Sequence, residues 1–363
     1  MKEIRVSLPH LTYPIYCAPS ALERLPELMH RHQAHEPLYI ITDQRVADLY
    51  EKRLAAVLRP TGLPLFFFHA PVGESAKTLA VAEELYTWLI QNQADRSSVI
   101  LALGGGVVGD LAGFVAATFM RGMHLIQIPT TLLAQVDSSV GGKVGINHRL
   151  GKNLIGAFHH PLFVLLDPLL LFTLEQRQVA AGLAEVVKYG CIANSELFHW
   201  LSREWSDIAG LKDPQQIQHL LLTCCSIKAR VVGNDERERG GRAILNFGHT
   251  IGHALEAATN FETFLHGEAV AHGMGAAAWL SLHKGLLSHH DFLRVSTLCE
   301  QLAPPPIPDS VTEERLLSLM LHDKKRNRSG QQWVLLSAIG QACLTRQVTV
   351  EETSAALRWL LDR

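Results

Sequence analysis

From residue 1 to about 175 the apolar positions fall in short β-branched runs bounded by Gly, Pro or Asp: PLYIITD (37–43), LPLFFFHAP (63–71), SSVILALGGG (97–106) and MHLIQIP (123–129). Runs of that length and composition predict strands. Between them, AKTLAVAEELYTWLIQNQ (76–93) repeats its apolar residues every three or four positions and predicts a helix. Strands alternating with helices predict an α/β domain built on a doubly wound, mostly parallel, nucleotide-binding sheet. The opening EIRVSLPHLTYPIYCA adds an antiparallel hairpin with Pro9 and His10 in its turn. From about residue 176 the period changes to three to four residues, as in VAAGLAEVVKYGCIA, PQQIQHLLLTCCSIKARVV and GEAVAHGMGAAAWLSLHKG, and predicts a mainly α-helical domain. Its loops break at Gly233, Gly240 and Pro304 to Pro306, and QWVLLSAIGQACLTRQV (332–348) predicts a small hairpin. The expected division is residues 1–175 and 176–363, with the crevice between them as the default ligand site.

The chain's 363 residues favour two domains over one. A net charge of −2 argues against a general nucleic-acid binder, which needs cationic excess to displace counterions. Any bound anion must therefore be held by a local cluster. The six cysteines form no CxxC pair and no disulfide-like spacing, which points to a reducing compartment. MKEIRVSLPHLTYPIY resembles neither a signal peptide nor a transit sequence, and no uncharged run reaches membrane-span length. These features predict a soluble cytoplasmic protein.

Four segments carry candidate chemistry. LALGGGVVGDLAG (101–113) runs from a strand through Gly104, Gly106 and Gly109 into a helix, a GxGxxG arrangement suited to a pyrophosphate. Pro129 stands where the usual acidic partner is expected, and the motif follows the third strand; Asp43, ending an earlier strand, could contact the ribose instead. QVDSSVGGKVGINHRLGKN (135–153) holds a GGK, but Asp137 and Val144 break the P-loop pattern, which excludes nucleoside triphosphate hydrolysis. A glycine-rich loop with Lys143, Lys152 and Asn153 remains, suited to anionic oxygens. GLAEVVKYG sets Glu185 and Lys188 three apart on an apolar helix, either as a structural ion pair or with the carboxylate on a metal. FGHTIGHALE looks like half a zinc-protease signature, with Thr250 where the base should be. Spacing alone selects His249 with His253 as ligands, completed by Glu185 or by His266 of FLHGEAV.

Taken together these segments closely resemble the 3-dehydroquinate synthase family of sugar phosphate cyclases. The resemblance rests on GGGVVGDLAGFVAATFMRG, IPTTLLAQVDSSVGGKVGIN, LGKNLIGAF, GLAEVVKYG, DERERGGRAILNFGHTIGHALE, LHGEAVAHGM and DKK, in family order from about residue 73 to 325. It implies conversion of 3-deoxy-D-arabino-heptulosonate 7-phosphate to 3-dehydroquinate and phosphate, a step of the shikimate pathway. The implied course is transient oxidation by NAD, β-elimination of phosphate, re-reduction, ring opening and intramolecular aldol closure. NAD would be catalytic, and the metal, zinc or cobalt, would grip substrate hydroxyls rather than activate water.

Residue by residue, the resemblance implies Glu185, His249 and His266 as metal ligands, which displaces His253 from the set chosen by spacing. It implies NAD binding by Asp43, Glu74, Lys77, Gly105, Gly106, Val107, Val108, Gly109, Asp110, Thr130 and Thr131, with Lys143, Lys152, Leu170, Phe172 and Thr173 nearby. Lys228 and Arg242 would hold the substrate carboxylate; Asn153, Asn246, His253 and Lys324 the phosphate; and Asp137, Lys188 and Glu238 would surround the hydroxyls. Lys143 and Lys152 would also serve the substrate. Arg121 would reach across from a second subunit, making a homodimer. The wording departs from the family at Val144 (usually Thr), Glu175 (usually Pro), Gln178 (usually Glu) and His159–His160 (usually Tyr-Gln). Rival readings are a sibling cyclase acting on a substrate without a carboxylate, or a metal-dependent polyol dehydrogenase. The anion-binding Lys152, Lys228, Arg242 and Lys324 argue against the dehydrogenase, and Lys228 and Arg242 against the sibling.

Overall fold

The computed structural model describes residues 1–238, 240–326 and 331–363, excepting the side chains of residues 321–326. The chain folds as two compact units, Met1–Leu174 with Asp213–Glu236, and Glu175–Lys212 with Arg237–Arg363. In chain order the first stretch holds β1 (Lys2–Ser7), β2 (Thr12–Cys17), α1 (Leu25–Arg31), β3 (Leu38–Asp43), α2 (Gln44–Leu58), β4 (Leu65–Ala70) and α3 (Leu79–Gln91). It continues with β5 (Val99–Gly104), α4 (Gly106–Thr118), β6 (His124–Pro129), β7 (Lys143–His148), β8 (Gly151–Phe158) and β9 (Phe163–Leu166). There follow α5 (Gln176–Ala193), α6 (Ser195–Ala209), α7 (Pro214–Asn234), α8 (His249–Ala258), α9 (His266–His283), α10 (His289–Gln301) and α11 (Glu313–Arg326). The hairpin β10 (Trp333–Ala338) and β11 (Gln341–Thr345) precedes α12 (Val350–Leu361).

In the first unit seven strands form one sheet in the order β1-β2-β9-β6-β5-β3-β4. All neighbours are parallel except β1 and β2, whose antiparallel register pairs Lys2 with Cys17 and leaves Pro9 and His10 in the turn. Neighbouring residues of one strand enter opposite cores. Ile40, Leu101 and Ile126 pack with α1 and α2 residues such as Leu28 and Leu54, whereas Tyr39, Ile41 and Ile100 pack with Leu85 and Leu111 of α3 and α4. Burial on both faces explains why β3 and β5 read as continuous apolar runs. Helix α7 packs with this unit, not with the helices after residue 176; its Gly233 approaches the Ser7 carbonyl of β1, where an added Cβ would sit 2.9 Å from the oxygen.

Strand β9, between β2 and β6, was not expected, and neither was a further hairpin. Residues 143–158 form an antiparallel hairpin, β7 with β8, rather than a loop. Gly145 faces Gly156 across it, and a Cβ on Gly156 would overlap the Val144 carbonyl, so the two backbones approach as only glycine allows. Val144 itself is buried against Gly113 of α4. An apolar side chain in place of the family's usual threonine is thus a packing choice.

The second unit is helical around a core of Ile251, Leu255, Ala269, Ala276, Leu316, Leu335 and Leu357. Three of its helices meet through glycines. A Cβ on Gly267 of α9 would overlap the Ala181 carbonyl of α5, and one on Gly273 would overlap the Gly248 carbonyl ahead of α8. Gly252 of α8 would place its Cβ 3.1 Å from the Ala269 carbonyl. The helices bearing Glu185, His249 and His266 therefore run at near backbone contact. Among the described residues no helix is long and apolar enough to cross a membrane, and the six cysteines are free thiols, five of them buried.

This packing predicts the sign of one substitution. Gly→Ala inside a helix ordinarily stabilises by about 1 kcal/mol through propensity. Gly267→Ala should instead destabilise by roughly 1–3 kcal/mol, because α9 must move off α5. Gly241→Ala, with nothing within 4 Å of the added carbon, should be near neutral. Thermal unfolding of the two variants checks this, and a Gly267→Ala protein at least as stable as the wild type contradicts the helix contact.

Candidate active site

In the second unit Glu185 is wholly buried in α5, on the face that Lys188 shares one turn later. Lys188 donates to Oε2 of the carboxylate. Among the described residues Oε1 has no hydrogen-bond partner. Facing it are Nε2 of His249 at 3.6 Å and Nε2 of His266 at 3.7 Å. The two sequence alternatives for Glu185, ion pair or metal ligand, are thus compatible, one on each oxygen. Ligand atoms of a tetrahedral divalent site with bonds near 2.0–2.1 Å lie about 3.3 Å apart. The residues present therefore fit a cation: an orphaned buried oxygen and two imidazole nitrogens at nearly that separation.

The second halves of both rings are engaged. His249 Nδ1 lies 3.2 Å from the Phe247 carbonyl and His266 Nδ1 lies 3.3 Å from a carboxylate oxygen of Glu256. Both partners only accept, so each ring carries its proton on Nδ1 and presents a lone pair from Nε2. Burial, reinforced by Lys188, His266 and His253, pushes His249 well below its ordinary value and keeps it neutral, the ligating form. Sequence reasoning missed Glu256. Its only signal was position, three residues after His253 on an amphipathic helix, where a glutamate reads as surface; it is buried. His253 is exposed and also groups with Glu256 and His266, its ring 5.3 Å from that of His249.

The first unit gathers the residues implied for NAD. Chain order leaves β3 toward β4 on one side and β5 toward β6 on the other, so the topological switch lies between β3 and β5. Open α/β sheets bind ligands at the carboxyl ends of such strands. Asp43 ends β3, and its carboxylate caps α2 by accepting from Val46 N at 3.0 Å. Gly104 ends β5, and Gly105 to Asp110 turn into the start of α4. Small residues are required there: a Cβ on Gly105 would meet Thr131, one on Gly106 would lie 3.0 Å from Ser138 Oγ, and one on Gly109 would lie 2.9 Å from Gln127. Val108 closes against Gly104, Val107 is half-buried and Thr130 is buried, its N–H donating to the Gly104 carbonyl.

Beside this turn Lys77 is 3% exposed, donates to Asp110 at 2.7 Å and to the Asn153 side chain, and lies 3.7 Å from Glu74. Burial pushes the Asp110 carboxyl up, against the pull of Lys77. Asn147 donates to Glu74 and accepts from Asn153 N, so β7, β8 and the Glu74 turn are tied together. Asn153 is therefore placed with the nucleotide-turn residues. Lys143 is exposed and Lys152 half-buried on the hairpin. Leu170 lies in the core, with Phe172 and Thr173 at the surface beyond it; Tyr50 links the Thr173 hydroxyl, at 2.6 Å, with the Leu170 carbonyl.

The implied substrate residues fall in both units. Lys228 of α7, 5% exposed, pairs with Asp137 at 2.7 Å, Asp137 lying in a π-helical turn. Such turns recur at functional sites. In the second unit Arg242 is 4% exposed, and Asn246 donates to Glu238, whose φ is 55°. Arg121 is exposed, and Met120 and Arg121 both take positive φ before Gly122. Lys324 lies on α11, its side chain outside the described residues.

Comparison with known proteins divides the chain at residue 181, with α7 on the C-terminal side. Residues 67–181 match the 3-dehydroquinate synthase N-terminal family and residues 182–326 the C-terminal one. The chain is 46% identical to the 3-dehydroquinate synthase of Desulforamulus reducens over 98% of its length and 99% of the relative's. It is 45% identical to that of Halorhodospira halophila over 97% and 98%. Among solved structures it resembles the 2-epi-5-epi-valiolone synthase of Streptomyces hygroscopicus subsp. jinggangensis, solved with NAD+ and Zn2+, at TM-score 0.91 and 29% identity, covering 98% of this chain and 99% of that one. A 2-deoxy-scyllo-inosose synthase complexed with carbaglucose-6-phosphate, NAD+ and Co2+ matches at TM-score 0.89 and 28% identity over 99% and 100%. A glycerol dehydrogenase of Schizosaccharomyces pombe, 15% identical at TM-score 0.70 over 96% and 88%, shares the fold. On its sequence, the chain belongs to the 3-dehydroquinate synthase family.

Proposed function

We propose that this chain converts 3-deoxy-D-arabino-heptulosonate 7-phosphate to 3-dehydroquinate and phosphate, in the cytoplasm and as a homodimer to which Arg121 contributes across the subunit boundary. The observation that carries the reading is the buried Glu185 oxygen with two imidazole Nε2 atoms in front of it and no hydrogen donor of its own. When bound, NAD supplies a reversible hydride acceptor and a zinc or cobalt ion supplies a Lewis acid for substrate hydroxyls.

The protein's own part is binding, orientation and charge. Glu185, His249 and His266 hold the cation, and Lys188 donates to the other oxygen of the Glu185 carboxylate. Asp43, Glu74, Lys77, Gly105 to Asp110, Thr130 and Thr131 hold the nucleotide, with Lys143, Lys152, Leu170, Phe172 and Thr173 beside it. Lys228 and Arg242 clamp the substrate carboxylate; both are buried, so their charge-assisted bonds are made with little competition from water. Asp137 holds Lys228 in position before substrate arrives. Asn153, Asn246, His253 and Lys324 hold the phosphate, and Asp137 and Glu238 orient the hydroxyls. Fixing both ends of a flexible, highly charged molecule selects the conformer that can lose phosphate and close its ring.

Three outcomes test this. Chelator-treated enzyme should lose phosphate release from 3-deoxy-D-arabino-heptulosonate 7-phosphate and recover it with zinc or cobalt. Glu185→Gln should fall by about a thousandfold, consistent with several kcal/mol of Lewis-acid stabilisation, and not be rescued by added metal. Arg242→Ala should lower kcat/KM by about 100-fold, near 3 kcal/mol of lost transition-state binding. Phosphate release unaffected by Arg242→Ala, or steady NADH accumulation with a simple polyol, would show that the substrate assignment is wrong.

A further inference from the structure

A second group of metal-ligating side chains lies wholly within the first unit. His10 sits in the turn between β1 and β2, His160 two residues beyond β8, and Glu236 two residues beyond α7. These three segments are remote in sequence, yet one ligand atom from each falls within 4.8 Å of the other two. Glu236 divides its oxygens between the rings: Oε1 lies 2.9 Å from His160 Nε2 and Oε2 lies 3.7 Å from His10 Nδ1. The first contact is a hydrogen bond that an ion would replace, and both separations lie near the spacing of about 3.3 Å between ligand atoms of a zinc-sized ion.

The surroundings suit a built site. The His160 side chain is 4% exposed and that of Glu236 14%, whereas that of His10 is 54% exposed. Two ligands are thus held inside and the third stands at the rim. The His160 ring is fixed by packing. A Cβ on Gly142, whose φ is +68°, would lie 2.5 Å from ring atoms, and the Tyr13 ring stands 5.5 Å away, centroid to centroid. Imidazole with carboxylate is a donor set that favours borderline divalent ions over calcium or magnesium. Position 160 is also one of the departures from the usual family wording; a glutamine there would hydrogen-bond Glu236 but is a poor ligand for such an ion.

We propose that His10, His160 and Glu236 form a second divalent-metal site, of zinc, cobalt or nickel character, separate from Glu185, His249 and His266. An ion there would pin the β1–β2 turn and the segment after β8 to the residues following α7, where the chain leaves the first unit. The third candidate group, His253, Glu256 and His266, shares His266 with the active-site set and is not an independent site.

The test is metal stoichiometry rather than activity. Full-length protein is dialysed against chelator-buffered Zn2+ and its zinc counted per chain. Two zinc ions per chain are expected for the wild type and one for each of His160→Gln, His10→Ala and His249→Ala; the double variant His249→Ala, His160→Gln should retain none. His10→Ala changes an exposed turn residue and keeps the test valid should His160→Gln disturb the fold. A wild-type count of one, or a count unchanged in His10→Ala because zinc sits on scattered surface histidines, overturns the proposal. Loss of both ions in His249→Ala would also overturn it, by showing that the two sets are not separate.

Discussion

The arrangement of the second unit depends on a buried carboxylate. An ionised Glu185 with no exposed surface is costly unless both oxygens are compensated. Lys188, one turn away on the same helix, compensates one of them. The other is faced by histidines of α8 and α9, and for these to reach it the helices must run closer than ordinary side chains permit. That requirement accounts for glycine at 248, 252, 267 and 273, each of which would otherwise place a carbon against a neighbouring backbone. Close packing and metal chemistry are therefore one constraint.

The first unit solves a different problem, presenting backbone to a ligand at the end of a parallel sheet. Here too glycines bring elements together, but around a helix N-terminus rather than a carboxylate. The Lys77–Asp110 pair and the β7–β8 hairpin brace the turn from one side. The sequence motif looked weak because it follows the third strand and lacks its acidic partner. The strand order removes the first objection, since the third strand of the α/β series flanks the switch point.

Most strands and helices were legible because short β-branched runs bounded by Gly, Pro or Asp differ from apolar positions recurring every three to four residues. The β7–β8 hairpin was not: glycines at Gly145, Gly151 and Gly156 erase the alternation that marks a strand, and close backbone approach leaves no hydrophobic signature. Periodicity showed that α7 has an apolar face but not which core receives it, so its packing with the first unit could not be read. Spacing at i, i+4 drew attention to His249 and His253 together, whereas the geometry groups His249 with Glu185 and His266 from two other helices. Residue spacing reports one helix face; a metal site is set by where three helices meet. Glu256 and the His10–His160–Glu236 group were invisible for the same reason, being assembled by tertiary contact alone.

The most direct test of the account is anomalous diffraction from crystals of the metal-loaded protein, collected at the metal's absorption edge. The account predicts an anomalous peak in contact with Glu185 Oε1, His249 Nε2 and His266 Nε2, at about 2.0–2.2 Å from each. A peak instead on His253, Glu256 and His266, with Glu185 bonded to Lys188 alone, would contradict the claim that the buried carboxylate organises the site.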